Sequence, residues 1–359
     1  MKLKDISDLL LVPYEGDGTI IIEGLSEPKT SKRNQLALAM DKKFVQDLDK
    51  GEARTAIVME GTDWKALGLD GALFVKQTRY TIARLSSLFE EAGIEQKGLH
   101  PSAIISDSAK ISDSVSIGPF SVIGSDVELN DNTIIGSHVS IGKSVTIGKG
   151  AIIHSGVRIG SNVVIGDGFI CHSNAVIGSD GFSFVSPDGG GVEQARKERS
   201  VSGTTQIDHY VRIASLGSVV IGNDVEIGAG SIIDRGTIEN TTVGNGTKLD
   251  NLVHLGHNVT IGDNCLLCGQ VGVAGSAKIG NRVVLGGQVG VSDHISIGND
   301  SIIAGKSGVF SNVPVGRFMM GNPATKIENN IDSYKSLRRL PKALKRIEKL
   351  EQLLSKNTG

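Results

Sequence analysis

The stretch ISDSVSIGPFSVIGSDVELNDNTIIGSHVSIGKSVTIGKG, Ile111 to Gly150, repeats every six residues. Aliphatic anchors stand at Ile111, Ile117, Ile123, Leu129, Ile135, Ile141 and Ile147. Four places after an anchor comes a second, smaller residue, as at Val127, Val139, Val145 and Ala151. The period is neither the 3.6 of a helix nor the alternation of a half-buried strand. Hexads of this kind are the signature of a parallel β-helix, whose short strands stack coil upon coil through turns. The frame extends from Ile105 to Ile177, and a second frame runs from Val243 to Val315 without a miss.

Three hexads close one triangular coil, so residues 18 apart lie above one another at the inter-strand spacing of about 4.8 Å. Two stretches break the array. SFVSPDGGGVEQARKERSVSGTTQ, Ser183 to Gln206, is polar and glycine-rich and reads as an excursion from the prism. IENTT, Ile238 to Thr242, is a shorter slip. Long loops on a repeat scaffold are often functional.

Residues 1–98 lack the hexad and read as a small α/β domain. Its strands are expected near TIII, TAIVM and GALFVK, with a helix across YTIARLSSLFEEAG. The β-helix is expected over 99–321 and a helical extension over 322–359. There Leu337, Leu340, Leu344, Ile347, Leu350 and Leu354 follow helical spacing, and Pro341 suggests a boundary or kink between two pieces. Lys335, Arg338, Arg339, Lys342, Lys345, Arg346 and Lys349 occupy the outer faces, as either a solvated surface or a dock for an acidic partner.

The composition agrees with many tight turns around aliphatic interiors: 47 of 359 residues are glycine and only 4% are aromatic. A formal net charge of −2 implies no general nucleic-acid-binding surface. The opening MKLKDISDLLLVPYEGDG has too short an apolar run for an export signal, and nothing later approaches a membrane span, so a cytoplasmic protein is expected. Three cysteines fit a reducing compartment. Cys265 and Cys268 form a CxxC, but one falls at the inward small-residue place and the other outward after an anchor. They should point apart, and no second CxxC completes a zinc site.

Within LVHLGHNVTIG, Leu252 to Gly262, His257 sits two places after the anchor Leu255. The matching places in neighbouring hexads hold Asn245, Asn251, Asp263, Gly269, Gly275, Asn281 and Gly287, all suited to turns. Stacking puts Gly275 over His257, and His294 two coils up and one residue along, about 10 Å away. Imidazole can remove a proton near neutral pH, and a nearby backbone N–H can stabilise an oxyanion, the two needs of acyl transfer from a thioester. A polar turn residue is the other reading of His257. His154 and His172 are also 18 apart and resemble the stacked pair of metal-dependent hydratases, but zinc needs at least three ligands and His138 is out of frame. No metal site is assigned.

HPSA, IGPFSVIG, IGSDGF, IGNDVEIGAGSIIDRGTI, DNLVHLGHNVTIGDN, VAGSAKIG and GNPA together resemble the UDP-3-O-acylglucosamine N-acyltransferase family of lipid A biosynthesis. The resemblance implies a left-handed parallel β-helix of hexapeptide repeats, mainly β, with a small N-terminal α/β domain and a C-terminal α-helical extension. It implies a homotrimer with substrate clefts between subunits. It also implies transfer of a 3-hydroxyacyl chain from acyl carrier protein to the 2-amino group of a UDP-3-O-acylated glucosamine, with no cofactor beyond the carrier's phosphopantetheine.

Carried over by motif, His257 is the general base and the N–H of Gly275 the oxyanion donor, while His294, Asp250, Asn258 and His254 line the substrate. Where the family shows a phenylalanine, an asparagine and a tyrosine against uridine, this chain has Leu38, Asp41 and Phe44. His254 makes an HLGH spacing similar to that of the sister O-acyltransferase acting on UDP-N-acetylglucosamine, but that enzyme has no N-terminal domain. A metal-dependent hydratase and an inert β-helix scaffold are the remaining alternatives.

Overall fold

In a computed structural model the chain is described over residues 1–90, 98–187, 209–321 and 325–357. Two compact units divide at Glu95 and Gln96. The first holds a five-stranded sheet in the order Tyr14–Gly16, Gly71–Val75, Thr55–Met59, Gln35–Ala39, Gly24–Ser26, with only the first pair antiparallel. Alternation along these strands supplies two small cores. Leu36, Ile57 and Leu73 face the helices Leu3–Leu10 and Thr78–Ser87 through Leu3, Ile6 and Leu85, while Ala37, Val58 and Phe74 pack with Leu48 on the other side.

TAIVM and GALFV are strands as expected, but TIII is not. Its backbone is drawn to the start of the first helix instead: Leu3 N–H donates to Ile20 C=O at 2.9 Å and Ile22 N–H to Met1 C=O at 2.7 Å. Only a single Lys2 to Ile21 bridge remains of the strand. The strand Gln35–Ala39 and the helix Leu3–Leu10 had no reading in the sequence, and the expected helix over 80–93 is seen as Thr78–Ser87, with 91–93 outside the described residues.

The second unit is a parallel β-solenoid whose two- to four-residue strands fall into three sheets. We call them face I, beginning at Ile104–Ile105, face II, beginning at Lys110–Ile111, and face III, beginning at Ser116–Ile117. The hexad does what its period requires: Leu129 pairs with Ile111 below and Ile147 above, and anchors such as Ile117 and Ile135 and small residues such as Val127 and Val139 point inward. Outward residues are joined by backbone ladders and by side chains, such as the column of turns in which Asn245, Asp263 and Asn281 each donate N–H to the side-chain oxygen one coil up, at 2.7 to 2.9 Å.

Both interruptions appear, with altered bounds. Val164 pairs with Val220, where an unbroken array would bring Phe182, so the prism is left after Ser179 and regained only at Val219. Residues 188–206 of the expected excursion lie outside the described residues. Phe184–Val185 pairs antiparallel with Val211–Arg212, so the departure continues beyond Gln206. Composition hid this, because Tyr210, Val211, Ile213 and Leu216 are apolar yet exposed. At the slip, Glu226 pairs with Lys248 rather than with Gly244.

The second frame ends sooner than its spacing suggests. Val315 is 64% exposed, and Val313 is the inward residue, bridged to Ile297. The turn through Asn312 is two residues tighter, with Ser296 N–H donating to Asn312 Oδ1 at 2.8 Å. The C-terminal segment also corrects an expectation: Ile327–Asn357 is one helix, continuous through Pro341. Proline there forfeits one helical hydrogen bond, and the flanking residues are strong enough helix formers to carry the turn across it. No helix among the described residues is long and apolar enough to cross a membrane.

One coil breaks the volume pattern and repairs it. Phe169 occupies a small-residue place and is fully buried, and the anchor two residues later is Cys171 rather than isoleucine. A large ring at the corner is offset by a small anchor on the strand, and burial pushes the Cys171 thiol up. We therefore predict that Phe169→Ala destabilises the unit by about 3–5 kcal/mol and that Cys171→Ile alone overpacks it by about 1–3 kcal/mol. The double variant Phe169→Val with Cys171→Ile should recover most of both losses in urea melts, and additive losses would contradict the compensation.

Candidate active site

His257 lies in the turn between His254–Leu255 on face I and Thr260–Ile261 on face II. Glycines bracket its half-buried imidazole. A Cβ on Gly275 would stand 2.7 Å from Cε1 and 2.8 Å from Nε2 of His257, and one on Gly181 would stand 2.8 Å from its Cβ. Neither glycine has a left-handed φ, so both positions require glycine for space and not for backbone conformation. Gly275 is also the residue 18 places on from His257, one coil up, and it presents no side chain to the imidazole.

The ring's tautomer is set by its neighbour. His257 Nδ1 is 3.0 Å from Asn258 Oδ1. Which end of the amide is oxygen follows from two backbone groups: Thr237 N–H donates to Oδ1 at 3.1 Å, and Nδ2 donates to Glu239 C=O at 2.9 Å. An acceptor oxygen facing Nδ1 requires Nδ1 to carry a proton, which leaves the lone pair of neutral His257 on Nε2. Both backbone groups lie at the start of the short slip, and Thr241 Oγ1 within it accepts Asn258 N–H at 2.9 Å. Gly236 makes the slip sterically feasible, since a Cβ there would lie 1.6 Å from Glu239 C=O.

His254, three residues earlier, is set differently. It stands outward on face I, with Nε2 3.1 Å from Asp234 Oδ2. Asp234 is 5% exposed, and its other oxygen accepts from Ser179 Oγ at 2.7 Å. The Asp234 hydrogen bond raises the His254 pKa above the ordinary histidine value, against the opposing effect of burial. His254 is thus biased toward the cation.

The remaining residues divide by corner. His294 is exposed with a left-handed φ of 58°, and its N–H donates to Gly275 C=O at 3.2 Å, which ties it to the His257 edge. Asp250 is on the opposite edge of face I, in the turn after Lys248–Leu249 of face III, so a single chain does not bring it to His257. It opens a groove of about 630 Å³ lined with Cys268, Gly269, Gln270, Gly287, Gln288, Gly305 and Lys306. Cys265 is buried and Cys268 lines this groove, so the CxxC thiols do point apart.

In the N-terminal unit Leu38 is a half-buried member of the Gln35–Ala39 strand. Asp41 caps the short helix Lys42–Val45 by accepting from Lys43 N–H at 3.0 Å, and Phe44 is half-buried on that helix. His154 and His172 stack with ring centroids 5.1 Å apart, and His172 Nε2 is 2.9 Å from Glu226 Oε1. Among the described residues no three His, Cys, Asp or Glu side chains gather as a metal-binding group. Gly181, Asp234, Thr237 and Glu239 carry no role by their place in the repeat, although IGSDGF contains the first, IDRGTI the next two and the slip IENTT the last.

This solenoid, with a histidine packed on a backbone and its lone pair exposed, is that of a hexapeptide-repeat acyltransferase. The bacterial transferase hexapeptide (six repeats) family model matches residues 108–143, 138–168 and 240–275. The UDP-3-O-acylglucosamine N-acyltransferase of Ruegeria pomeroyi is 51% identical over 99% of this chain and 98% of its own. That of Pseudomonas entomophila is 32% identical over 72% of this chain and 68% of its own. The chain belongs to the UDP-3-O-acylglucosamine N-acyltransferase family and is an acyltransferase. Among solved structures, the Arabidopsis UDP-N-acetylglucosamine acyltransferase shares the fold, with a TM-score of 0.53, 22% identity and coverage of 62% of this chain and 71% of that one.

The His254–Asp234 pair generates a pH prediction. Because the folded-state pKa of His254 is raised, its contribution to stability is full below the unfolded value of about 6.5 and is lost as pH rises through the folded value. The stability difference between wild type and His254→Gln should therefore be larger at about pH 5.5 than at about pH 9 in urea melts. A difference that grows with pH would reverse the assignment.

Proposed function

We propose that this enzyme moves an (R)-3-hydroxyacyl chain from the phosphopantetheine of acyl carrier protein to the 2-amino group of UDP-3-O-(3-hydroxyacyl)glucosamine, in lipid A biosynthesis. The observation that carries the reading is the tautomer of His257: Nδ1–H is committed to Asn258, and Nε2 is bare beside Gly275. As the amine attacks the thioester carbonyl, a C–N bond forms and Nε2 takes the amine proton. The oxyanion is met by the N–H of Gly275. Collapse then breaks the C–S bond, and the imidazolium returns the proton to the departing thiolate, so no cofactor enters the balance.

His254, biased toward the cation, and His294 suit the anionic portions of the substrates. The uridine belongs with Leu38, Asp41 and Phe44. Phe44 offers a ring without a phenol hydroxyl, and the Asp41 carboxylate, already an N-cap, retains lone pairs for the uracil N3–H. A homotrimer would complete the site, since each chain carries His257 on one edge of face I and the Asp250 groove on the other. The basic face of the Ile327–Asn357 helix suits an acidic carrier protein.

The test is direct. Purified enzyme, 3-hydroxyacyl carrier protein and UDP-3-O-acylglucosamine should yield an amide, and ester formation on UDP-N-acetylglucosamine instead would move the assignment to the O-acyltransferase. His257→Ala should lower turnover by about 10²- to 10⁴-fold in a folded protein. Asn258→Ala, which frees the ring to take the other tautomer, should cost about 10- to 100-fold with the nucleotide-sugar KM nearly unchanged. Turnover within about twofold of wild type in His257→Ala would remove it from proton transfer.

A further inference from the structure

The excursion leaves the prism beside the active site, and its described base is laced together. Arg212 on the returning side forms an ion pair with Asp180 on the outgoing side. Ile213 N–H donates to Ser183 C=O at 2.9 Å, and Gly181 N–H donates to Ser215 Oγ at 3.2 Å. From the prism side, Arg235 N–H donates to Ser179 C=O at 2.8 Å. The residue held by these links is Gly181, buried and so placed that any side chain on it would collide with His257.

We propose that Ser215 and Arg212 are positioning residues for the catalytic histidine: they hold Gly181 against the Cβ and Cδ2 side of His257, so that the ring is pinned between Gly181 and Gly275 with Nε2 facing the substrate. The proposal rests on His257 being the general base. The contacts are complementary in place. A Cβ at 181 would crowd His257 at Cβ, Cγ and Cδ2, one at 275 would crowd it at Cε1, Nε2 and Nδ1, and Asn258 faces Nδ1. Side chains are thus excluded from both flanks of the imidazole and Nδ1 is held by Asn258, which leaves Nε2 as the nitrogen without a hydrogen-bond partner among the described residues. An exposed ion pair such as Arg212–Asp180 contributes little to global stability, so its value lies in fixing the local geometry of the segment it ties.

A methyl group at position 181 would stand 2.8 Å from His257 Cβ and 3.2 Å from Cγ and Cδ2, which forces the ring to move. In the full-length enzyme we expect Gly181→Ala to lower kcat by about 10- to 100-fold, with KM for both substrates within about threefold, because displacement of the base removes transition-state contacts only. Ser215→Ala and Arg212→Ala should give the same split with smaller losses. Ser215→Thr, which keeps the hydroxyl, should restore kcat.

The readout that separates positioning from mere stability is the histidine ring itself. In protein labelled with ¹⁵N-histidine, the His257 ring signals should shift or broaden in Gly181→Ala and Ser215→Ala while the melting temperature holds. If both variants keep wild-type kcat and wild-type His257 signals, the proposal is overturned. Should Gly181→Ala not fold, Ser215→Ala and Arg212→Ala probe the same contacts from half-buried and exposed positions, and wild-type kcat with wild-type ring signals in both overturns it equally. Failure of the general-base reading is distinguishable, because it would appear as retained turnover in His257→Ala whatever the ring signals of the other variants show.

Discussion

Everything in the larger unit depends on the backbone ladder between successive coils. The strands are mostly two residues long, and each is held from both sides, as when Gly118 N–H donates to Ile135 C=O at 2.8 Å from the coil below and Ile134 N–H donates to Ala151 C=O at 2.7 Å in the coil above. Such short strands have no independent stability, so a coil exists only when its neighbours are in register. A shift by one residue would exchange the inward anchors for outward residues along a whole face. The constraint is severe on the array and permissive at its corners. Chain can be added between two strands at any length, provided that it returns to the same register.

The two additions in this chain use that freedom, and both arrive at His257. The short slip brings Thr237 N–H and Glu239 C=O onto the amide of Asn258, which fixes its orientation and with it the tautomer of the neighbouring imidazole. The long excursion brings Gly181 against the ring. The regular turns after face II use their side chains differently, in the column of N–H to side-chain bonds that ties one coil to the next. Departures from the repeat are therefore where the scaffold acquires chemistry, and the repeat supplies the rigidity against which they are placed.

This explains which parts were legible from residues alone. Anchors such as Leu129 and Ile147 announce their faces because the period itself encodes burial, and the stack of Gly275 over His257 follows from counting. Gly181 could not be found by counting, since the array offset that relates it to His257 is broken twice between them. Its motif was visible but its contact was not. The strand Gln35–Ala39 escaped notice because alternation of leucine and alanine carries little contrast, although both faces of that sheet are buried. TIII misled for the opposite reason: it has the composition of a strand, but its hydrogen bonds close onto the N-terminus. Val315 kept the frame on paper, where a tighter turn handed its place to Val313.

HLGH places two histidines three residues apart, and their surroundings assign them different chemistry. His254 Nε2 faces a buried carboxylate, which can only accept, so that nitrogen carries a proton and the ring is drawn toward the charged form. His257 Nδ1 faces a neutral amide oxygen, which orders the proton on that nitrogen without adding charge. Nε2 of His254 is occupied as a donor, whereas Nε2 of His257 keeps its lone pair in the tautomer that Asn258 selects. Exchanging Asp234 and Asn258 between the two histidines would exchange these hydrogen-bond patterns, so the difference between them resides in the neighbours rather than in the histidines themselves.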